Sequence, residues 1–169
     1  MNDSMTYTYC GSPLGELLLV ADGDALCGAY FSGQKYFPAL AATWRERDSV
    51  PVLQAAREQL REYFSGSRTA FALPLAPRGT PFQQAVWKAI SAVGFGRTIT
   101  YSELALHAGF PGSARAAGAA TGRNPISIIV PCHRIVGSNG SLTGYAGGLD
   151  RKRALLALES GIPDLLAAA

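Results

Sequence analysis

The 169-residue chain is predicted to be an α+β protein: a small amino-terminal α/β domain built on an antiparallel sheet, then a mainly helical helix-turn-helix (winged-helix-like) domain. Three observations predict it. Short β-branched and aromatic runs separated by turn formers fill the amino-terminal part. A stretch rich in Gly, Pro and Ser, from Ser65 to Gly79, follows one amphipathic segment, and beyond it apolar residues recur at helical spacing. The domains are accordingly placed at residues 1–75 and 76–169, and a hydrophobic content of 48% is ample for a core.

Tyr7 to Cys10 and Leu17 to Ala21 read as strands around the Ser12-Pro13-Leu14-Gly15 turn, with Ala25 to Phe31 a third strand after Asp22-Gly23-Asp24. Together they predict an antiparallel meander. From Val52 to Phe64, the residues Leu53, Ala56, Leu60 and Phe64 fall at helical spacing with Arg57, Glu58, Arg61 and Glu62 between them. An amphipathic helix should therefore cover the sheet.

In the second half, Thr80-Pro81 offers a cap and a first-turn proline. Phe82, Ala85, Val86, Ile90 and Val93 form the apolar stripe of a helix ending near Gly94-Phe95-Gly96, with Trp87 in the core. Thr100 or Ser102 then caps a helix from Glu103 to Ala108, Gly109-Phe110-Pro111-Gly112 make a turn, and Ser113 caps a second helix running to Thr121. Two short helices across a Gly-containing turn form a helix-turn-helix pattern. Its second helix carries one arginine, Arg115, and no Asn, Gln or Lys to read base edges. Side chains this small permit close approach to a narrow groove, so minor-groove binding with little sequence preference fits best. Close packing of the alanines against the core is the alternative.

The most informative stretch runs from Ile128 to Val136. Pro131-Cys132-His133-Arg134 stands between two β-branched runs, which predict either a buried strand or a tightly packed inner loop. Burial in apolar surroundings leaves a thiol inert, whereas a base and a fixed positive charge beside it lower its pKa and make it a nucleophile. With His133 and Arg134 adjacent, a reactive Cys132 is favoured over a packing cysteine.

Net charge is only +3 but unevenly spread: six bases and eight acids up to Leu75, nine bases and four acids from Ala76 onward. Cys132 lies in the basic half, a weak hint of a polyanionic partner. Three cysteines are too sparse for a disulfide framework, which points to a reducing compartment and a cytoplasmic location. Met1-Asn2-Asp3-Ser4 does not open a secretory signal, and no run approaches the ~18 apolar residues of a membrane span.

Phe82-Gln83-Gln84-Ala85-Val86-Trp87, Tyr101-Ser102-Glu103-Leu104-Ala105, Ala114-Arg115-Ala116, Asn124-Pro125, Pro131-Cys132-His133-Arg134 and Gly144-Tyr145-Ala146-Gly147-Gly148-Leu149 occur in the order and spacing of the O6-alkylguanine-DNA alkyltransferases, which the chain resembles. The likeness runs from about Phe82 to Glu159 and is looser over Met1 to Leu75, where Ser12-Pro13-Leu14-Gly15 carries it. It implies direct DNA repair by one irreversible transfer of an alkyl (methyl) group from O6 of guanine to Cys132, with O4-alkylthymine a second candidate substrate. That is the activity of a methylated-DNA–protein-cysteine S-methyltransferase.

Residue by residue, the resemblance implies that Cys132 accepts the alkyl group, that His133 removes its proton through a water and that Glu159 orients His133. Asn124 would buttress the active-site turn, and Tyr101 would hydrogen-bond the base and supply a proton to departing guanine. The backbone of Cys132, Ile135 and Ala146 would frame the base edge and Tyr145 would wall the pocket. Some members have serine in place of Ala146, a change that a backbone contact should survive. Arg115 would take the extruded nucleotide's place in the stack, with Ser113, Ala114, Ala116, Thr121 and Arg123 completing the DNA-contacting set. The implied partner is double-stranded DNA containing alkylated bases, bound from the minor groove by a monomer, with no membrane and no cofactor. Arg134 should support the site, and His107 should be structural.

Some members bind a structural zinc through amino-terminal Cys and His. Here His107 and His133 are the only histidines, so Cys10 and Cys27 read as packing residues and no metal is expected. Three other classes compete. A non-catalytic alkyl-lesion-binding protein would lack the acceptor cysteine. A cysteine hydrolase needs an oxyanion hole and a histidine placed by the fold, which an adjacent His133 does not establish. A transcription factor is disfavoured by the small side chains of the second helix. Taken singly, Glu159 also reads as a solvated helix residue, Tyr101 and Tyr145 as core aromatics, Asn124 as a turn former and Arg134 as a surface charge.

Overall fold

The computed structural model describes residues 5–161; residues 1–4, on which the secretory-signal reading fell, and 162–169 lie outside the described residues. Strands β1 (Met5–Cys10), β2 (Leu17–Asp22) and β3 (Ala25–Phe31) form the antiparallel meander. A two-residue strand that no alternation announces, β4 (Arg45–Glu46), joins β1 in parallel, so the order is β3-β2-β1-β4 and the sheet is not purely antiparallel. Strand β2 is buried on both faces: Leu17, Leu19 and Ala21 enter the main core, while Leu18 and Val20 pack with Cys27 in a smaller cluster. Cys10 and Cys27 are free, buried thiols, and burial raises the pKa of each, that of Cys27 to about 11.

Helix α1 (Pro51–Ser65) covers the sheet with Val52, Leu53, Ala56, Leu60 and Tyr63. Tyr63, three residues after Leu60, takes the inward position expected for Phe64, which is only half-buried. The helix stops at Gly66, φ +84°, where the N–H groups of Gly66 and Ser67 return to the carbonyls of Tyr63 (3.1 Å) and Glu62 (2.9 Å). A side chain would strain that left-handed cap.

Helix α2 (Pro81–Ser91) opens with a capping box between Thr80 and Gln83. Val86, Trp87 and Ile90 face inward, and the Trp87 indole N–H donates to the Ala120 carbonyl at 2.8 Å. The helix-turn-helix follows as α3 (Tyr101–His107) and α4 (Ala114–Gly122). Thr100, rather than Ser102, caps α3. Ser113 holds the N-cap position of α4 without a side-chain cap bond, because its φ of −101° and ψ of 38° depart from extended cap geometry. Helix α5 (Leu149–Glu159) has no clean apolar stripe to announce it, since Lys152 and Glu159 are buried alongside Ala154, Leu155 and Ala157.

Two short strands, β5 (Ile99–Thr100) and β6 (Ile135–Val136), pair in parallel and bring the start of α3 beside the chain leaving Cys132. The outer edge of β3 is closed by segments from beyond α1. Leu26 pairs with Leu75 and Ala29 with Ile126; the Ala29 N–H donates to Pro125 (2.8 Å) and its carbonyl accepts from Ser127 (2.9 Å). One apolar cluster accordingly runs from Leu17 and Leu53 through Trp87 and Ile126 to Cys132 and Leu155. Among the described residues, no helix is long and apolar enough to cross a membrane.

Candidate active site

Cys132 begins a single 3₁₀ turn, Cys132–Arg134, and the residues before it explain how it is held. The Asn124 side chain bridges the loop: Oδ1 accepts the Ile126 N–H (3.0 Å), and Nδ2 donates to the carbonyls of Val130 (2.8 Å) and Ile126 (3.3 Å). Between those anchors the Ile129 N–H bonds back to Ser127 (2.8 Å) around Ile128 at φ +71°, a left-handed conformation that disfavours a β-branched residue. Such strain costs about 1–3 kcal/mol and persists only where the surroundings over-determine it. Burial of Ile126, Ile128, Ile129 and Val130, together with Asn124, does so here. Pro131 follows at φ −81° and ψ 64°, an inverse γ-turn closed by the Cys132 N–H on the Val130 carbonyl (2.8 Å). The stretch is thus an inner loop that ends in β6, rather than one continuous strand.

Electrostatics at the thiol differ from the sequence expectation. Burial raises the Cys132 pKa, opposed by a hydrogen bond from Asn124, the charge of Lys152 and backbone N–H groups. Neither neighbour supplies the expected positive charge, because successive residues of a 3₁₀ turn point roughly 120° apart. His133 and Arg134 instead turn to Glu159. Glu159 Oε1 lies 2.7 Å from His133 Nε2, and the carboxylate takes Arg134 Nε (2.9 Å) and Nη2 (2.8 Å). It also accepts the Tyr63 hydroxyl (2.8 Å) and the Gly96 N–H (3.4 Å). Arg134 Nη1 donates to the Val93 carbonyl at 2.6 Å. At 7% and 6% exposure, Glu159 and Arg134 are neither a solvated helix residue nor a surface charge.

The carboxyl of Glu159 falls to about 2, burial being outweighed by the bonds from His133 and Arg134. Burial lowers the His133 pKa, the bond to Glu159 notwithstanding, so its ring is neutral near pH 7. With a carboxylate at Nε2, the ring hydrogen belongs there and Nδ1 is the basic nitrogen. Nδ1 is buried with no hydrogen-bond partner among the described residues.

Lys152, fully buried, donates Nζ to the carbonyls of Ile135 (2.6 Å) and Thr143 (2.9 Å) and lies 5.9 Å from the Tyr101 ring centroid. Burial pulls it down to about 8, partly offset by Cys132. The Tyr101 hydroxyl shares the Thr143 carbonyl at 3.0 Å. Tyr101, Gly118, Ala119, Tyr145 and Ala146 border a pocket of about 420 Å³. Tyr145 turns a buried hydroxyl inward, where burial and the proximity of Cys132 raise its pKa. Of the backbone groups expected to frame a base, the Ile135 N–H is engaged by Cys132 and its carbonyl by Lys152, while the Ala146 carbonyl accepts from Lys35 (3.0 Å). Among the described residues no group of three or more His, Cys, Asp or Glu could hold a metal ion.

The chain has known relatives. The model for the 6-O-methylguanine DNA methyltransferase DNA binding domain matches residues 81–161, and that for the ribonuclease-like domain of the same proteins matches residues 5–77. The chain belongs to this family. A methylated-DNA–protein-cysteine methyltransferase of Haemophilus influenzae is 45% identical over 157 residues, 92% of this chain and 87% of that protein. One from Methanosarcina acetivorans is 44% identical over 155 residues, 92% and 98%. The crystal structure of Mycobacterium tuberculosis OGT in complex with DNA matches with a TM-score of 0.85 at 41% identity, covering 97% of this chain and 99% of that one.

In this methyltransferase-family chain, Arg115, Ala116 and Ala119 lie on the exposed face of α4, Ser113 and Ala114 are half-buried, and Ala117 and Ala120 pack inward. Thr121 does not reach that face. It is buried with its hydroxyl on the Ala117 carbonyl (2.7 Å), since it follows Ala117 and Ala120 on the inner side of the helix. Arg123, just after the helix, is exposed. His107 is exposed at the end of α3. Two participants escaped sequence reading. Lys152 hides in the basic run Arg151-Lys152-Arg153, where only its spacing of seven from Glu159, two helical turns, hints at an inward face. Tyr63, distant in sequence from Glu159, left no local signal.

Proposed function

We propose that this protein repairs double-stranded DNA by moving an alkyl group, methyl in the simplest case, from O6 of guanine to Cys132. A bond forms between Sγ and the alkyl carbon as the carbon–O6 bond breaks. The thiol proton passes to His133 Nδ1 through a water, and Tyr101 supplies a proton to the departing guanine, so one proton leaves the protein's thiol and one reaches the base. The observation that carries this reading is the capture of His133 Nε2 by Glu159 beside a buried, protonated Cys132: a resting thiol needs a base, and Nδ1 is the nitrogen left to act as one. Asn124 holds the turn, Tyr145 walls the pocket, and the backbone of Cys132, Ile135 and Ala146 frames the base. The product thioether cannot exchange with another thiol as a disulfide would, so each molecule acts once as a suicide acceptor.

The protein reads DNA through α4 as a cytoplasmic monomer without cofactor or metal. Small exposed residues at Ala116 and Ala119 suit the minor groove and confer little sequence preference. Arg115 fills the gap left by an extruded nucleotide. O4-alkylthymine is a second substrate of the same chemistry.

Intact-mass spectrometry after incubation with O6-methylguanine DNA tests the function. One methyl should replace one hydrogen, at Cys132, once per chain; repeated turnover would overturn it. For extrusion, Arg115→Ala should react with a free alkylguanine base at nearly the parental rate while duplex repair falls roughly tenfold for each 1.4 kcal/mol of support lost. Equal single-turnover losses on both substrates would withdraw that role.

A further inference from the structure

At the junction between the sheet and the end of α4, Lys35 and Tyr36, which the proposed reaction does not use, meet Arg123. The guanidinium carbon of Arg123 lies 3.8 Å from the ring centroid of Tyr36, and Lys35 Nζ lies 5.0 Å from the same centroid. Tyr36 is 44% exposed and sits at φ +62°, a left-handed backbone that a bulky residue rarely adopts. The turn carrying it is pinned. Buried Gln34 accepts the Phe31 N–H (2.8 Å) and donates to the Lys35 carbonyl (3.2 Å), while the Lys35 N–H donates to Ala146, on the loop that borders the pocket. Strain held by such surroundings clusters at ligand clamps.

Lys35 and Tyr36 border the same pocket as Tyr101 and Tyr145. Neither Lys35 nor Arg123 has a carboxylate partner among the described residues. Two cations are therefore gathered on one exposed ring at the mouth of the pocket, and the chemistry they lack is an anion. The guanidinium occupies the ring face, so Tyr36 orients cations rather than stacking a base. Arg123 follows Arg115 by eight residues, roughly 12 Å along α4, which separates a residue filling the stack from one beside the pocket.

We propose that Lys35, Tyr36 and Arg123 form a phosphate clamp on the backbone of the extruded nucleotide, two of its three groups coming from the amino-terminal half. The clamp rests on the extrusion reading above, in which the nucleotide must leave the duplex and cross this rim to reach Cys132. Contacts of this kind position the nucleic acid without reading its sequence.

The test uses the full chain with Lys35→Ala, Tyr36→Ala and Tyr36→Phe. Two measurements are made: the slope of log duplex affinity against log salt, and single-turnover rates on O6-methylguanine duplex and on free O6-benzylguanine. Lys35→Ala should flatten the salt slope by about 0.9, the value of one phosphate contact. It should slow duplex repair several-fold and leave the free-base rate unchanged. Tyr36→Ala should act in the same direction by releasing both cations, and Tyr36→Phe, which keeps the ring, should match the parent. A parental salt slope and duplex rate in Lys35→Ala would overturn the clamp. So would a free-base rate that falls in step, which would make the segment a support for the pocket. Should the parent transfer no alkyl group while Lys35→Ala still flattens the slope, the repair reading fails and the phosphate contact stands.

Discussion

Cys132→Ser is expected to abolish alkyl transfer, to below detection in single turnover, while duplex affinity stays near that of the parent. Burial raises the Cys132 pKa, so in the proposed reaction one proton must be drawn from the thiol toward His133. An alcohol in the same place is a far weaker acid and is not drawn to the reactive anion by the same base. The exposed Arg115 and Arg123, proposed above to contact DNA, keep their charges in this variant. Intact mass after incubation with O6-methylguanine duplex, paired with a binding titration on the same duplex, separates the outcomes. Loss of both properties would make Cys132 a structural residue. Retained transfer would mean a different acceptor, although Cys10 and Cys27 are buried in the sheet and both raised by that burial.

What the sequence revealed of this site was what short-range geometry controls. Asn124 and Pro131 act within a few residues of themselves, and the capping boxes at Thr80 and Thr100 are closed over three residues, so their residue types suffice to announce them. The thiol's electrostatics are not legible in sequence, because adjacency in sequence is not adjacency in a 3₁₀ turn. Arg134 and His133 follow Cys132 directly yet both face Glu159, and the cation that acts on the thiol is Lys152, twenty residues away. Tyr63 and the pairing of Ala29 with Ile126 were invisible for the related reason that they cross the junction between the two halves. Thr121 lies on the inner face of α4, a placement that alanines on both sides of the helix conceal.

The junction gives the amino-terminal half a mechanical part in the site. Strand β3 hydrogen-bonds the segment immediately before the Ile128 turn, Tyr63 of α1 bonds the carboxylate that orients His133, and Lys35 bonds the loop carrying Tyr145. The first two of these contacts reach groups of the second half that are themselves buried, which is where a second support most limits movement.

Glu159→Gln is expected to lower stability by about 3–5 kcal/mol and to slow alkyl transfer by on the order of a hundredfold, more than it weakens DNA affinity. Both effects come from one carboxylate. Its charge faces Arg134, which is 6% exposed, and an amide in its place leaves that guanidinium buried and uncompensated. The amide can also present an N–H to His133 Nε2, which favours the tautomer with Nδ1 protonated and leaves that nitrogen unable to take the thiol proton. The pH dependence separates this from generic damage. Glu159 titrates near 2 when folded, below an ordinary unfolded glutamate at about 4.3, so its contribution is fully present above that unfolded value. It is then lost as pH falls through the folded value. The stability gap between parent and variant should therefore be widest near neutrality and close between about pH 4.5 and about pH 2. Adding Arg134→Met to Glu159→Gln should recover stability, since no buried charge is then left unpaired, without recovering rate. Denaturant titrations across that pH range and single-turnover rates on folded protein decide it: a parental rate in Glu159→Gln would leave the carboxylate a partner of Arg134 alone, and a pH-independent gap would mean that its charge is not what stabilises the fold.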